Sequence, residues 1–165
     1  MLDTIFGLPV HPLIVHATVV IVPTATFLVA LAALYPRFRT WAGPVPALAA
    51  LLSCVLVPLS TGSGEALQEH VPETSLVEQH QEIAGTLIWF VIPLAAIAVL
   101  GYWMQRKANA GTAASTGLAA AVAVTSVLLA GATLVDVALI GHSGAKASWS
   151  KVAAQHTGDS GDSDG

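Results

Sequence analysis

Four long apolar runs constrain the fold of this chain more than any other feature of its sequence. They lie at Pro12–Tyr35, Thr40–Ser60, Ile83–Met104 and Gly117–Ile140; none contains Lys or Arg, and only the last contains an acid, Asp136. Each run can cross about 30 Å of hydrocarbon, which takes roughly 20 helical residues. The runs are continuously apolar and lack the alternation of a membrane β-strand. The sequence therefore predicts an all-α protein, a four-transmembrane-helix bundle.

The composition leaves no room for a sizeable water-soluble domain. Of the 165 residues, 55% are hydrophobic and 10% are charged, whereas soluble proteins average about 25% charged residues. We expect one four-helix membrane domain over residues 1–150 and a disordered, acidic tail over residues 151–165. The first Lys or Arg is Arg37, so the first run lacks the basic leader of a cleaved signal peptide.

The connections between the runs differ in charge. The connections after the first and third runs hold four of the six cations, which are Arg37, Arg39, Arg106 and Lys107. The charged residues of the connection after the second run are all acids, from Glu65 to Glu82, with no Lys or Arg. Because cytoplasmic loops carry an excess of Lys and Arg, we predict that both termini lie outside. Lys146 and Lys151, beyond the fourth run, count against this orientation but are outnumbered.

All six histidines fall on the predicted outer side, at positions 11, 16, 70, 80, 142 and 156. His16 and Asp136 would lie at similar depths, roughly 6 to 8 Å inside the hydrocarbon at 1.5 Å per residue. A charged side chain at the centre of a membrane helix costs about 2.5 to 3.5 kcal/mol, so Asp136 should face the bundle and find a partner. His16 is the expected partner and Thr133 a second candidate. His70 and His156 are expected at the surface.

Four of the histidines suggest a ligand site at the outer end of the bundle. We predict that His16 and His80, with His11 and His142, bind haem b or a transition metal. A bare metal would use His16, His80, Asp136 and Glu65. His11 and His16 are about 140° apart around one helix, so the ligands must come from several helices.

Local catalytic motifs are missing from the sequence. There is no His-Glu-x-x-His, no phosphate loop and no nucleophile elbow, and Cys54 is the single cysteine. Hydrolase, nucleotide and zinc-finger functions therefore have no support. The expected environment is the lipid bilayer, and no nucleic-acid partner is expected.

Several short motifs together resemble one bacterial family. They are Leu8-Pro9-Val10-His11-Pro12-Leu13-Ile14-Val15-His16, Gly62-x-x-Glu65, His80 with Arg106, and Gly141-His142-x-Gly144-Ala145. The chain is similar over nearly its whole length to the family of domain of unknown function 2231, predicted four-helix membrane proteins. In the last motif Ala145 replaces a second glycine of the family, and Trp149 stands at the aromatic position. The resemblance implies a bacterial inner-membrane location. Some members are joined to Rieske iron–sulfur domains, which implies a redox setting and a redox partner.

Three functions from different classes remain open. The first is a haem- or metal-binding redox protein whose ligands are imidazoles from different helices. The second is an accessory or assembly subunit of a membrane complex, in which the polar residues only fix helix packing. The third is a small transporter or proton-relay protein that uses His16, Asp136 and Glu65.

Overall fold

The computed structural model describes the backbone of residues 4–5, 8–68 and 74–159, and the side chains of residues 11–67 and 74–149. A short antiparallel pair, β1 (Thr4–Ile5) and β2 (Leu8–Pro9), precedes six helices. The helices are α1 (Val10–Leu34), α2 (Pro36–Ala42), α3 (Val45–Gln68), α4 (Ser75–Thr86), α5 (Ile88–Asn109) and α6 (Thr116–Asp159). In the described part of the chain, four helical stretches are long and apolar enough to cross a membrane, which confirms the predicted four-helix architecture.

The four membrane-length stretches pack in a square that follows chain order. The first, α1, contacts α3 and α6 extensively, whereas α5 contacts α3 and α6 and touches α1 only slightly. The third stretch consists of α4 and α5, and α4 also packs against α6. The bundle therefore has one side made of α1 and α3 and an opposite side made of α4, α5 and α6.

Two local signals separate α1, α2 and α3. Tyr35 is extended, with φ −120° and ψ 100°, because the ring of Pro36 disfavours the helical conformation in the residue before it. Gly43 ends α2 with a positive φ of 55°, which a glycine adopts without steric cost. The predicted second span began at Thr40, and that start is wrong because Thr40 belongs to α2.

The second, third and fourth spans extend beyond their predicted ends. Helix α3 runs past Ser60 to Gln68, α4 begins at Ser75 before the predicted start at Ile83, and α6 runs past Ile140. The Thr74 hydroxyl caps α4 by accepting a bond from the amide of Val77 at 3.4 Å. Ser63 and Ser143, which lie beyond the predicted ends of the second and fourth spans, are therefore helical.

The third stretch is interrupted at Leu87, between α4 and α5. The Thr86 hydroxyl contacts the carbonyl of Ile83 at 2.6 Å, the group that would accept the next bond of a regular helix. The amide of Leu87 donates instead to the carbonyl of Ala84, at 3.4 Å. The interruption therefore arises where Thr86 competes with the backbone.

Small and hydroxyl side chains, together with Val22, Val57, Val91 and Leu94, fill the centre of the bundle. Ala25, Thr26, Ala50, Ser53 and Thr133 have no exposed area. The buried hydroxyls donate to the carbonyl four residues earlier in their own helices, as Thr133 does to Leu129 at 2.7 Å. Small residues let membrane helices approach closely. Large apolar side chains are exposed around the outside, including Val20, Leu128 and Val135, as expected for a surface that meets lipid.

Helix α6 continues to Asp159, into the segment 151–165 for which the composition predicts a disordered tail. Residues 150–156 read Ser-Lys-Val-Ala-Ala-Gln-His, and Ala, Lys and Gln are strong helix formers. Residues 160–165 lie outside the described residues.

Candidate functional site

Two imidazole–serine pairs lie at the end of the bundle where α1 begins, which we call the histidine end; it is defined by His11, Ser63, His80 and Ser143. In the first pair, Nδ1 of His11 in α1 lies 3.0 Å from Oγ of Ser63 in α3. In the second, Nδ1 of His80 in α4 lies 2.9 Å from Oγ of Ser143 in α6. Both imidazoles are half-buried. Each pair therefore joins two helices that are distant in sequence.

The serine hydroxyls fix which ring nitrogen of each histidine carries the proton. Ser63 donates its hydroxyl proton to the carbonyl of Ser60 at 2.9 Å, and Ser143 donates to the carbonyl of Ile140, also at 2.9 Å. A hydroxyl has a single proton to donate, so at the ring contact each serine accepts. With the hydroxyl protons assigned in this way, Nδ1 of each neutral imidazole is the donor and Nε2 carries the lone pair.

A glycine next to each serine makes room for the ring. A Cβ placed on Gly64 would lie 3.0 Å from Cε1 of His11, and one on Gly144 would lie 3.1 Å from Cε1 of His80. Ordinary van der Waals contact begins near 3.4 Å. At both positions a larger residue would push the imidazole away from its serine, so the Ser-Gly sequence serves the same purpose twice.

The two pairs face each other across the bundle. His11 and Ser63 lie on the side made of α1 and α3, and His80 and Ser143 lie on the opposite side. The two imidazoles are nonetheless close enough to interact electrostatically. Each ring also hydrogen-bonds the backbone, His11 at Ser60 and His80 at Ile140. The arrangement thus brings two imidazoles together from opposite sides of the bundle.

His16 does not make the contact predicted for it. Its side chain is exposed, and its Nδ1 bonds the carbonyl of Pro12, in its own helix, at 2.5 Å. The predicted His16–Asp136 pair is therefore wrong. The reason is the position of His16 around the helix. Thr18 is buried on the inner face of α1, and His16, two residues earlier, lies about 200° away and so faces outward.

Asp136 faces the interior of the bundle, as predicted. It is 7% exposed, and its Oδ1 contacts the hydroxyl of Thr86 at 2.9 Å. Its Oδ2 is buried without a hydrogen-bond partner. Asp136 and Ser143 are seven residues apart, hence on one face of α6. The Thr86–Asp136 contact therefore continues the α4–α6 interface that holds His80.

The remaining predicted ligands are not gathered around the two pairs. His142 and Glu65 are exposed. Within residues 11–67 and 74–149, no three side chains of His, Cys, Asp or Glu lie close enough together to hold a metal ion. The set His16, His80, Asp136 and Glu65 is therefore not assembled there. His70 and the side chain of His156 lie outside the described residues.

Ser63, Ser143 and Thr86 are the polar partners that sequence reasoning missed. A signal was available, because the Ser-Gly dipeptide recurs at the same end of the second and fourth spans, at Ser63-Gly64 and Ser143-Gly144. The pairing with His11 and His80 becomes visible only when both segments are recognised as helical.

Comparison with known protein families gives a match, which covers most of the chain. The model of one family, described as predicted membrane protein (DUF2231), matches residues 7–156. The match covers all four membrane-length stretches and both imidazole–serine pairs. No curated protein and no solved structure matches the chain. The chain belongs to the DUF2231 family of predicted membrane proteins.

Proposed function

We propose that this membrane protein binds haem b between the imidazoles of His11 and His80 at the histidine end, with a single transition-metal ion as the alternative ligand. The observation that carries the proposal is the pair of matched imidazole–serine contacts. Metal-ligating histidines almost always donate their other ring N–H to a neighbouring acceptor, which fixes the tautomer and the ring orientation. Ser63 and Ser143 supply that acceptor.

The number of available ligands favours haem over a bare ion. The porphyrin provides four nitrogens to iron, so six-coordinate haem needs only two imidazoles from opposite faces. A bare Zn²⁺ site in a protein typically uses three or four side chains. His11 and His80 come from opposite sides of the bundle, and no third ligating side chain joins them within the described residues. Haem would supply one-electron chemistry, which agrees with the redox setting that the family resemblance implies.

The test is a haem titration of the detergent-purified protein, followed by visible absorption. We expect His11→Ala and His80→Ala each to abolish or shift the Soret band, since each would remove one of the two residues that would hold the haem iron. His16→Ala and His142→Ala are matched controls and should bind like the unmodified protein, because both side chains are exposed.

A graded effect should come from the serines. Loss of an outer-shell partner typically lowers metal affinity by about 10- to 100-fold, and we expect that range for Ser63→Ala and Ser143→Ala. A protein that takes up neither haem nor Cu, Fe or Zn would contradict the proposal. The accessory-subunit and proton-relay functions would then remain.

A further inference from the structure

We propose that the opposite end of the bundle holds a binding site for the phosphate of an anionic phospholipid headgroup, centred on Arg39 and Gln105. We call this the basic end; it is defined by Arg37, Arg39, Arg106 and Lys107. A cavity of about 200 Å³ opens there between the ends of α1 and α5 and the start of α6. Nothing in the proposed haem function uses it.

Two residues that line this cavity each have a buried polar atom without a hydrogen-bond partner. They are Arg39, at Nε, and Gln105, at Oε1. A buried donor or acceptor without a hydrogen bond costs about 1 to 3 kcal/mol, and more for a charged group. The oxygen and nitrogen of a Gln amide are assigned from the surrounding bonds, so a half-turn of the Gln105 amide gives the cavity a second donor. An anion between the two side chains would satisfy both.

The charge pattern of the basic end favours an external anion. None of the ten acidic residues lies between positions 4 and 64 or between 83 and 135, so no acidic residue is close to the four cations in the sequence. The guanidinium group binds phosphate with planar, paired hydrogen bonds. Phosphates are the anions that a bilayer presents at this level, and cations beside a membrane helix attract anionic lipids.

The surroundings of the cavity suit a lipid rather than a small free anion. Trp41, Trp103 and Tyr35 are exposed at this end, and such residues are enriched where membrane helices meet the headgroups. Nine of the twenty lining residues are alanines, and the cavity extends to the buried Val29 and Ser126. An amphiphile would place its phosphate on Arg39 and the beginning of its chain on this apolar lining.

The experiment measures lipid retained after extraction from nanodiscs of phosphatidylglycerol or of phosphatidylcholine, by native mass spectrometry. We expect one retained phosphatidylglycerol per chain and weaker retention of phosphatidylcholine. Arg39→Gln should weaken retention by about 10- to 100-fold, the value of one hydrogen bond to a charged group. Lys146→Gln is the matched control, because Lys146 is exposed beyond Ser143 at the histidine end and does not line the cavity, and it should retain lipid normally.

Two further measurements keep the test decisive. Ala123→Leu fills the cavity without removing charge and should also reduce retention, even if Arg39→Gln fails to fold. A thermal melt with inorganic phosphate separates the sources of the anion: stabilisation that requires Arg39 would assign the site to free phosphate. Equal retention by the unmodified protein, Arg39→Gln and Ala123→Leu, without stabilisation by phosphate, would overturn the proposal.

Discussion

Replacing Gly64 by alanine tests whether the imidazole–serine pairs are built as described. The added methyl group would lie 3.0 Å from Cε1 of His11, so the ring must move by about 0.4 Å to reach ordinary contact. The Nδ1–Oγ distance to Ser63, now 3.0 Å, would stretch toward the limit of a good hydrogen bond. The substitution therefore acts on the pair without removing either partner.

The expected magnitude is the difference between two opposing effects. Within a helix, alanine is about 1 kcal/mol more favourable than glycine. Loss of the hydrogen bond costs about 0.5 to 1.5 kcal/mol, and the displaced ring adds a packing cost. Gly64→Ala should therefore be neutral or slightly destabilising. Gly144→Ala should behave in the same way at His80, where the corresponding distance is 3.1 Å.

The chain offers matched controls in the same helices. A Cβ on Gly62 or Gly141 meets no atom within 4 Å. Alanine at either position should therefore change the stability only through its higher helix propensity, which favours the folded protein. In thermal unfolding in detergent, the controls should melt about 2 to 4 °C above the test variants for each kcal/mol of difference. If Gly64→Ala and Gly144→Ala stabilise the protein as much as the controls, the close packing of the imidazoles is refuted.

Two other predictions concern the bundle interior and its orientation. Thr86→Val should destabilise the protein by about 1 to 3 kcal/mol, because it leaves the buried Asp136 carboxyl without its hydrogen bond; the double variant with Asp136→Leu should recover much of that loss, and strict additivity in the double-mutant cycle would count against a direct contact. In a Cys54→Ala background, Ser75→Cys should react with an impermeant thiol reagent in intact cells and Thr112→Cys should not, since the basic loops are predicted to be cytoplasmic. The reversed labelling pattern would place the histidine end in the cytoplasm.

The helical architecture was predictable because the bilayer imposes it. Backbone N–H and C=O groups in lipid must be hydrogen-bonded within the protein, as they are in a helix or a closed β-barrel. Because the four apolar runs lack the alternation of barrel strands, they are expected to be helices. The interior position of Asp136 followed from the same reasoning, since an acid in a membrane helix avoids lipid. Both conclusions need only the sequence and the solvent.

The partners of the polar residues were not predictable in the same way. Depth alone made His16 a candidate for Asp136, but the rotation of α1 turns His16 outward and leaves Thr86 as the partner. The predicted spans ended at Ser60 and Ile140, whereas the hydroxyls of Ser63 and Ser143 bond carbonyls of their own helices and the helices continue. These outcomes depend on helix rotation and length, which tertiary packing decides.

The most direct test of the proposed function is the visible absorption spectrum of the protein purified from haem-replete cells, with metal analysis of the same sample. The account predicts a Soret band from one haem per chain, with the low-spin spectrum of iron held by two imidazoles. It also predicts that His11→Ala or His80→Ala removes that spectrum. A colourless, metal-free protein that stays unchanged when haem, Cu, Fe or Zn is added would contradict the proposed ligand site.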